Sequence, residues 1–228
     1  MVKTNEKNSE LTPQAQQSPC LLDAAITQLK QNAAAKFVEK VDISLQTGID
    51  ARKMMVRGMA KLPHGTGKSV RVAVFATGDL AKSAEKAGAH RVGFEDLFEE
   101  LKGDDWDYDV IIATPDAMAM VGKLGKKLGP KGLMPNPKLG SVTEDLKTAI
   151  KDAKSGQVEI RNDKDGNIGV SIGKKSFADD KLIKNFNAII ETLEKEKSNN
   201  TVKGELVKSA FITSTMGVSY KLKLGKSI

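Results

Sequence analysis

Lys123, Lys126, Lys127, Lys131 and Lys138 fall within the twenty residues 121–140, among five glycines and three prolines, and no carboxylate occurs between Asp116 and Glu144. An ammonium group is a hydrated point charge that needs an anion, and with no acid nearby along the chain the fitting partner is phosphate. Pro130, Pro135 and Pro137 stiffen the run while its glycines expose backbone. A stiff basic loop of this kind suits the phosphodiester backbone of a nucleic acid, a contact that gives affinity without reading sequence. The plainer reading makes Lys123, Lys126 and Lys127 the solvated face of a helix whose other face carries Met118, Val121 and Leu124.

A second constellation lies near the end of the chain, where the hydroxyls of Thr213, Ser214 and Thr215 adjoin Met216-Gly217. The strand that follows puts Ser219, Lys221 and Lys223 on one face. Hydroxyls exchange hydrogen bonds with ribose, and a glycine lets another backbone come close. The competing reading is an ordinary edge hairpin. One Trp, two Tyr and seven Phe are too few for the stacking platforms of many RNA-binding sheets, so recognition would lean on shape, hydroxyls and backbone.

Other chemistries fit poorly. "GTGKS" at 65–69 resembles the end of a phosphate-binding loop, but Leu62 and Pro63 stand where the curl needs glycine, and the segment leads into a strand instead of a helix. "FATGDLAK" supplies no dinucleotide fingerprint. "NDKDGN" has a D-x-D-G spacing without the remaining ligands of a calcium loop, and a hairpin turn at Asp165-Gly166 accounts for it. One cysteine, Cys20, and two histidines, His64 and His90, offer no disulfide, metal-ligand spacing or nucleophile-base pair. Neither catalysis nor a cofactor is expected; the alternative reading is a nucleotide-dependent enzyme using an inserted α/β domain.

The elements that must position these residues follow from periodicity. Ser18 reads as an N-cap and Pro19 as the first residue of a helix with Leu21, Leu22, Ala25, Ile26 and Leu29 on its apolar side. Phe37, Val41, Ile43 and Leu45 alternate with Val38, Lys40, Asp42 and Ser44 as a strand, with Glu39 interrupting the apolar face. From Val70 strands alternate with helices: "VRVAVFA", "GDLAKSAEKAGA", "RVG", "FEDLFEELK", "YDVIIATP" and "DAMAMVGKLGKKLG". That order argues for a small parallel sheet wrapped by helices. A helix ending at Gly156, two strands joined at Asp165-Gly166, a long amphipathic helix and a final pair of strands complete the chain.

Two domains are expected. Residues 18–66 and 157–228 form a discontinuous α+β domain, and 67–156 form an inserted α/β domain with a parallel, Rossmann-like sheet. Residues 1–17 read as a flexible tail. Gly65, Gly67, Ser155 and Gly156 at the crossings suggest a hinge. The net charge of +7 is unevenly spread: residues 94–109 hold eight carboxylates against Lys102, whereas 198–228 hold five lysines against Glu205. No stretch approaches the roughly 20 apolar residues of a membrane span, and the N-terminus lacks the layout of a secretory signal, so a soluble protein of a reducing cytoplasm is expected.

"RGMAKLPHGTGKSVRVAVFA", "DVIIATPDAM", "LGPKGLMPNPKLGSVT", "VEIRNDKDG" and "TSTMGVS" together closely resemble the bacterial branch of the L-one family of large-subunit ribosomal proteins, from about Ala33 to Lys223. The resemblance implies the two-domain fold of that family, a split domain carrying both termini and an inserted domain on a hinge. It implies a protein of the mobile ribosomal stalk, a monomer when free, that binds large-subunit rRNA. It further implies contact with tRNA leaving the exit site, and repression of its own operon mRNA. Its RNA contacts map onto Lys36, Phe37, Ser209, Thr215, Met216 and Gly217, and make Lys123, Lys126, Lys127, Lys131 and Lys138 an auxiliary surface for rRNA or tRNA. Val218 stands where the family usually has proline, and "DARKMMVRG" is about two residues shorter than is common.

Overall fold

The computed structural model of the chain describes residues 19–48, 56–103, 106–200 and 206–224. These fall into two compact units, one built from the described residues up to Gly67 and from Val158 onward, the other from Lys68–Gln157.

The first unit is organised by α1 (Leu22–Asn32), β1 (Lys40–Thr47) and β2 (Arg57–Lys61) before the crossing. After it come β7 (Asn167–Lys174), α7 (Asp179–Asn200), β8 (Val207–Ser214) and β9 (Tyr220–Leu222). β1 lies inside a four-stranded sheet of order β7-β1-β8-β9 and pairs antiparallel with both β7 and β8. Val41, Ile43 and Leu45 point to one face, where Ala25, Ile26 and Leu29 of α1 and Leu182, Phe186 and Ile189 of α7 close the core. The alternate face, with Ser44 opposite Phe211 and Phe211 opposite Lys221, is covered by no helix among the described residues.

Two local expectations are corrected here. The first helix starts at Leu22, with Pro19 outside it and Leu21 66% exposed; Ser18 lies outside the described residues. Cys20 is held instead by a parallel bridge to β9, donating its N–H to Lys221 O at 3.0 Å and accepting from Lys223 N at 2.8 Å, so the helix cannot begin before it. The strands flanking Asp165-Gly166 also do not form one hairpin. β6 (Gln157–Arg161) pairs with β2 in a separate two-stranded sheet, and its end meets β7 through the bridge Asn162–Ile168 and the Asp163 N–H bond to Asn167 O at 2.8 Å. Asn162 takes it there, accepting from Val56 N at 2.7 Å and donating its own N–H to Val56 O at 3.2 Å. Asp163 meanwhile folds the connection by accepting the N–H groups of Asp165 and Asn167, which leaves its carboxylate committed to the turn.

The second unit is a three-stranded parallel sheet, order β4-β3-β5, from β3 (Val72–Phe75), β4 (Arg91–Gly93) and β5 (Val110–Ala113). All four residues of β3 are buried because both sheet faces are covered. Ala73 and Phe75 pack with Leu97 and Leu101 of α3 (Glu95–Lys102), while Val72 and Val74 pack with Ala84 of α2 (Gly78–Lys86) and Ile150 of α6 (Leu146–Ser155). Asp145 caps α6 by accepting Thr148 N–H, and Gly156 ends it in the left-handed conformation at φ 93°. The single helix expected over 116–129 is instead interrupted: α4 (Met118–Val121), a 3-10 turn at Gly122–Leu124, then α5 (Gly125–Leu128). Glycines at both joints weaken the helical preference, and burial of Val121, Leu124 and Leu128 keeps the pieces on the core.

Candidate nucleic-acid interface

Antiparallel pairing of β1 with β8 sets Val41 opposite Ser214. The residues just before β1 therefore meet those just after β8. Lys40 N–H donates to Thr215 Oγ1 at 3.0 Å, and Thr215 N–H donates back to Lys40 O at 3.2 Å. Gly217 N–H closes the turn on Ser214 O at 3.2 Å. Lys36, Phe37, Thr215, Met216 and Gly217 are thus gathered at one end of the sheet. Met216 is 67% exposed, Phe37 53% and Val38 59%, an apolar patch beside the exposed ammonium-bearing residues Lys36 and Lys40.

Phe37 is outside the strand, which begins only at Lys40. Its expected place in the core alternation is therefore wrong. The cause is Glu39, which is 1% exposed. Its side chain turns inward, Oε1 accepting Ala35 N–H at 3.1 Å and Oε2 accepting Met216 N–H at 3.1 Å. A carboxylate so placed needs those partners, and meeting them bends residues 35–38 out of the strand path. Burial pushes the Glu39 carboxyl up, but the Met216 N–H, the neighbouring Ser214 hydroxyl, the Ala35 N–H and the Lys175 charge outweigh it and hold it below the ordinary value. Ser214 Oγ is close enough to favour the ionised carboxylate without the alignment of a hydrogen bond, and is buried with no hydrogen-bond partner. The same oxygen explains the glycine: a Cβ on Gly217 would lie 2.2 Å from it.

Ser209 stands apart. It lies near the start of β8 opposite Gln46, donating its hydroxyl to Gln46 Oε1 at 2.9 Å. Six residues of strand, about 20 Å, separate it from Thr215. The open sheet face joins the two positions, with Phe211 and Thr213 between them.

Sequence reading missed Glu39 as a site residue. Its signal was available: an acid interrupting a core-facing alternation is rarely buried unless both oxygens are satisfied.

On the inserted unit Lys123 and Lys126 are exposed. The expectation that this run lacks partners within the chain is corrected for two members. Lys127 Nζ donates to Lys102 O at the C-terminal end of α3, where the helix dipole favours a cation, and Lys131 Nζ sits 4.0 Å from the centre of the Trp106 ring. Lys138 is in a 3-10 turn, Pro137–Leu139, and its side chain lies outside the described residues. Among the described residues no three His, Cys, Asp or Glu side chains gather as a metal site, and no helix is long and apolar enough to cross a membrane.

Residues 29–218 match the Ribosomal protein L1p/L10e family. The chain belongs to it. Among its relatives, the large ribosomal subunit protein uL1 of Pelagibacter ubique (strain HTCC1062) is 53% identical over 225 residues, covering 98% of this chain and 96% of that protein. The proteins of the same name from Janthinobacterium sp. (strain Marseille) and Burkholderia mallei (strain SAVP1) are each 50% identical. The former covers 88% of this chain and 87% of its own length, the latter 90% and 88%.

Proposed function

We propose that the chain is a non-enzymatic constituent of the large ribosomal subunit, working in the bacterial cytoplasm, that binds large-subunit rRNA through the split unit. The observation that carries this reading is the gathering of Lys36, Phe37 and the Thr215-Met216-Gly217 turn at one end of the sheet, in a chain half identical to proteins named for that subunit. Lys36 neutralises phosphate, Thr215 and the turn's backbone meet ribose and base edges, and Phe37 with Met216 packs against unstacked bases. Ser209 extends the contact along the open sheet face.

Lys123 and Lys126 of the inserted unit supply an auxiliary phosphate-binding surface for rRNA or for tRNA leaving the exit site. Glycines with positive φ at the crossing, Gly65 and Gly67 on one strand of chain and Gly156 on the other, support a hinge that lets the stalk move and so assists tRNA release. Repression of its own operon mRNA, through a leader that mimics the ribosomal site, is added to this reading by the family resemblance alone. The alternative of a nucleotide-dependent enzyme on the parallel sheet finds no support in the family matched.

The test is titration with a stalk rRNA fragment at several salt concentrations. Thr215→Val with Met216→Ala should abolish preference over unrelated RNA. Lys123→Ala with Lys126→Ala should weaken both RNAs alike and flatten the salt slope by roughly 0.7–0.9 per lost phosphate contact. A wild-type chain without preference for the rRNA fragment refutes the reading.

A further inference from the structure

The RNA-binding surface is built from two chain segments, one before β1 and one after β8, that are 175 or more residues apart in the pairing Lys40–Thr215. Neither segment is a regular element: Lys36 and Phe37 lie in a bend, and Thr215–Gly217 form a turn. Strand pairing fixes Lys40 and Thr215 but ends there. What sets the placement of the residues beyond it is Glu39.

Resting on the reading under Proposed function, we infer that Glu39 is a positioning residue for RNA recognition. Its two carboxylate oxygens clamp the two segments at a fixed separation, one oxygen for each. Oε1 holds Ala35 N–H, directly before Lys36 and Phe37, and Oε2 holds Met216 N–H inside the turn. The clamp is itself anchored, because Lys175 N–H donates to Glu39 O at 2.9 Å and ties the residue to the end of β7. The buried position keeps Glu39 from touching RNA, so it acts only through the segments it holds.

A carboxylate is the side chain suited to this task. Two N–H groups arrive from different directions and need two acceptors; an amide of the same length offers one acceptor and aims a second donor at the other N–H. An aspartate keeps the charge and loses a methylene of reach. In either variant one segment is released, the competent arrangement becomes a fraction of the population, and apparent affinity falls by that fraction. With a buried N–H left unpaired, the expected loss for the rRNA fragment is about five- to 150-fold.

The experiment compares Glu39→Gln, Glu39→Asp and Thr215→Val with the wild-type full-length chain, against the stalk rRNA fragment and an unrelated RNA, with thermal melting of each protein. Both Glu39 variants should lose affinity for the rRNA fragment while affinity for unrelated RNA and its salt slope stay within about twofold. A purely structural role would lower both RNAs together with the melting temperature. If Glu39→Gln or Glu39→Asp binds the rRNA fragment as wild type does while Thr215→Val is impaired, the clamp is refuted and the RNA reading stands. If Thr215→Val is also without effect, the RNA reading of the turn fails and the inference with it. Should a Glu39 variant not fold, amide NMR of the wild-type chain decides. The Ala35 and Met216 amide protons should shift together as one carboxyl titrates, and shifts in neither or only one overturn the clamp.

Discussion

Gly217→Ala tests the packing beneath the turn, and its cost can be worked from two distances. The new Cβ would lie 2.2 Å from Ser214 Oγ but 3.5 Å from Ser214 Cβ. The whole collision is therefore with one hydroxyl. Gly217 is not in the left-handed region, so alanine brings no backbone strain of its own. Forcing a methyl into a packed site costs about 1–3 kcal/mol. Ser214→Ala removes a buried hydroxyl that has no hydrogen-bond partner but favours the ionised Glu39 carboxylate, two effects of opposite sign, and should change stability by less than about 1 kcal/mol. Combining the two should match the stability of Ser214→Ala alone or slightly exceed it, because alanine lowers the entropy of the unfolded chain by about 0.4–1 kcal/mol. The coupling between the two changes is then about 1–3 kcal/mol. Urea unfolding followed by hydrogen exchange of the split unit is the assay. Emission from Trp106, the single tryptophan, reports the other unit and should be unaffected. Equal destabilisation by Gly217→Ala in both backgrounds, or none in either, refutes the clash.

Asn185, fully buried in α7, accepts His64 N–H at 3.1 Å and donates to Gly65 O at 2.9 Å and Ile172 O at 2.7 Å. Asn185→Leu should cost about 2–4 kcal/mol by stranding those backbone groups, read as a lower melting temperature of the split unit. In the inserted unit, burial pushes the Asp109 carboxyl up, but the Arg71 N–H and the Lys68 ammonium, 2.5 Å from Oδ1, outweigh it and hold it below its ordinary 3.8. Its contribution is therefore complete above about pH 5 and lost as pH falls through the unfolded and then the depressed folded value. Acid titration of Trp106 emission should show that loss, and Asp109→Asn should lower stability at pH 7 by about 1–3 kcal/mol and flatten the acid limb.

The legibility of the chain divides by range of interaction. Local periodicity was sufficient for the β3, β4 and β5 strands, for α6 with its Gly156 terminus and for α7, because each buries a face set by its own residues. It failed where a distant partner decides. Cys20 is taken by β9, so the helix starts late. β6 is taken by β2, so the Asp165-Gly166 turn does not make a simple hairpin. Glu39 is taken by Met216, so Phe37 leaves the core and becomes available at the surface. Thr215, Met216 and Gly217 were recognisable as a motif, but the lysine run, more conspicuous in sequence, spends Lys127 and Lys131 on α3 and Trp106.

The interior place of β1 in its sheet also sets an order of events during synthesis. Its neighbours, β7 and β8, are both made late, and every strand of the inserted unit has been made before β7 appears. A nascent chain can therefore complete the parallel sheet while β1 still lacks both of its partners, and an exposed, unpaired strand invites aggregation. The surface gathered around Met216 does not exist until β8 has docked. On the proposed RNA reading, the chain would become competent for RNA only near the end of its own translation, and truncated products should present the lysine run of the inserted unit without the Thr215–Gly217 turn.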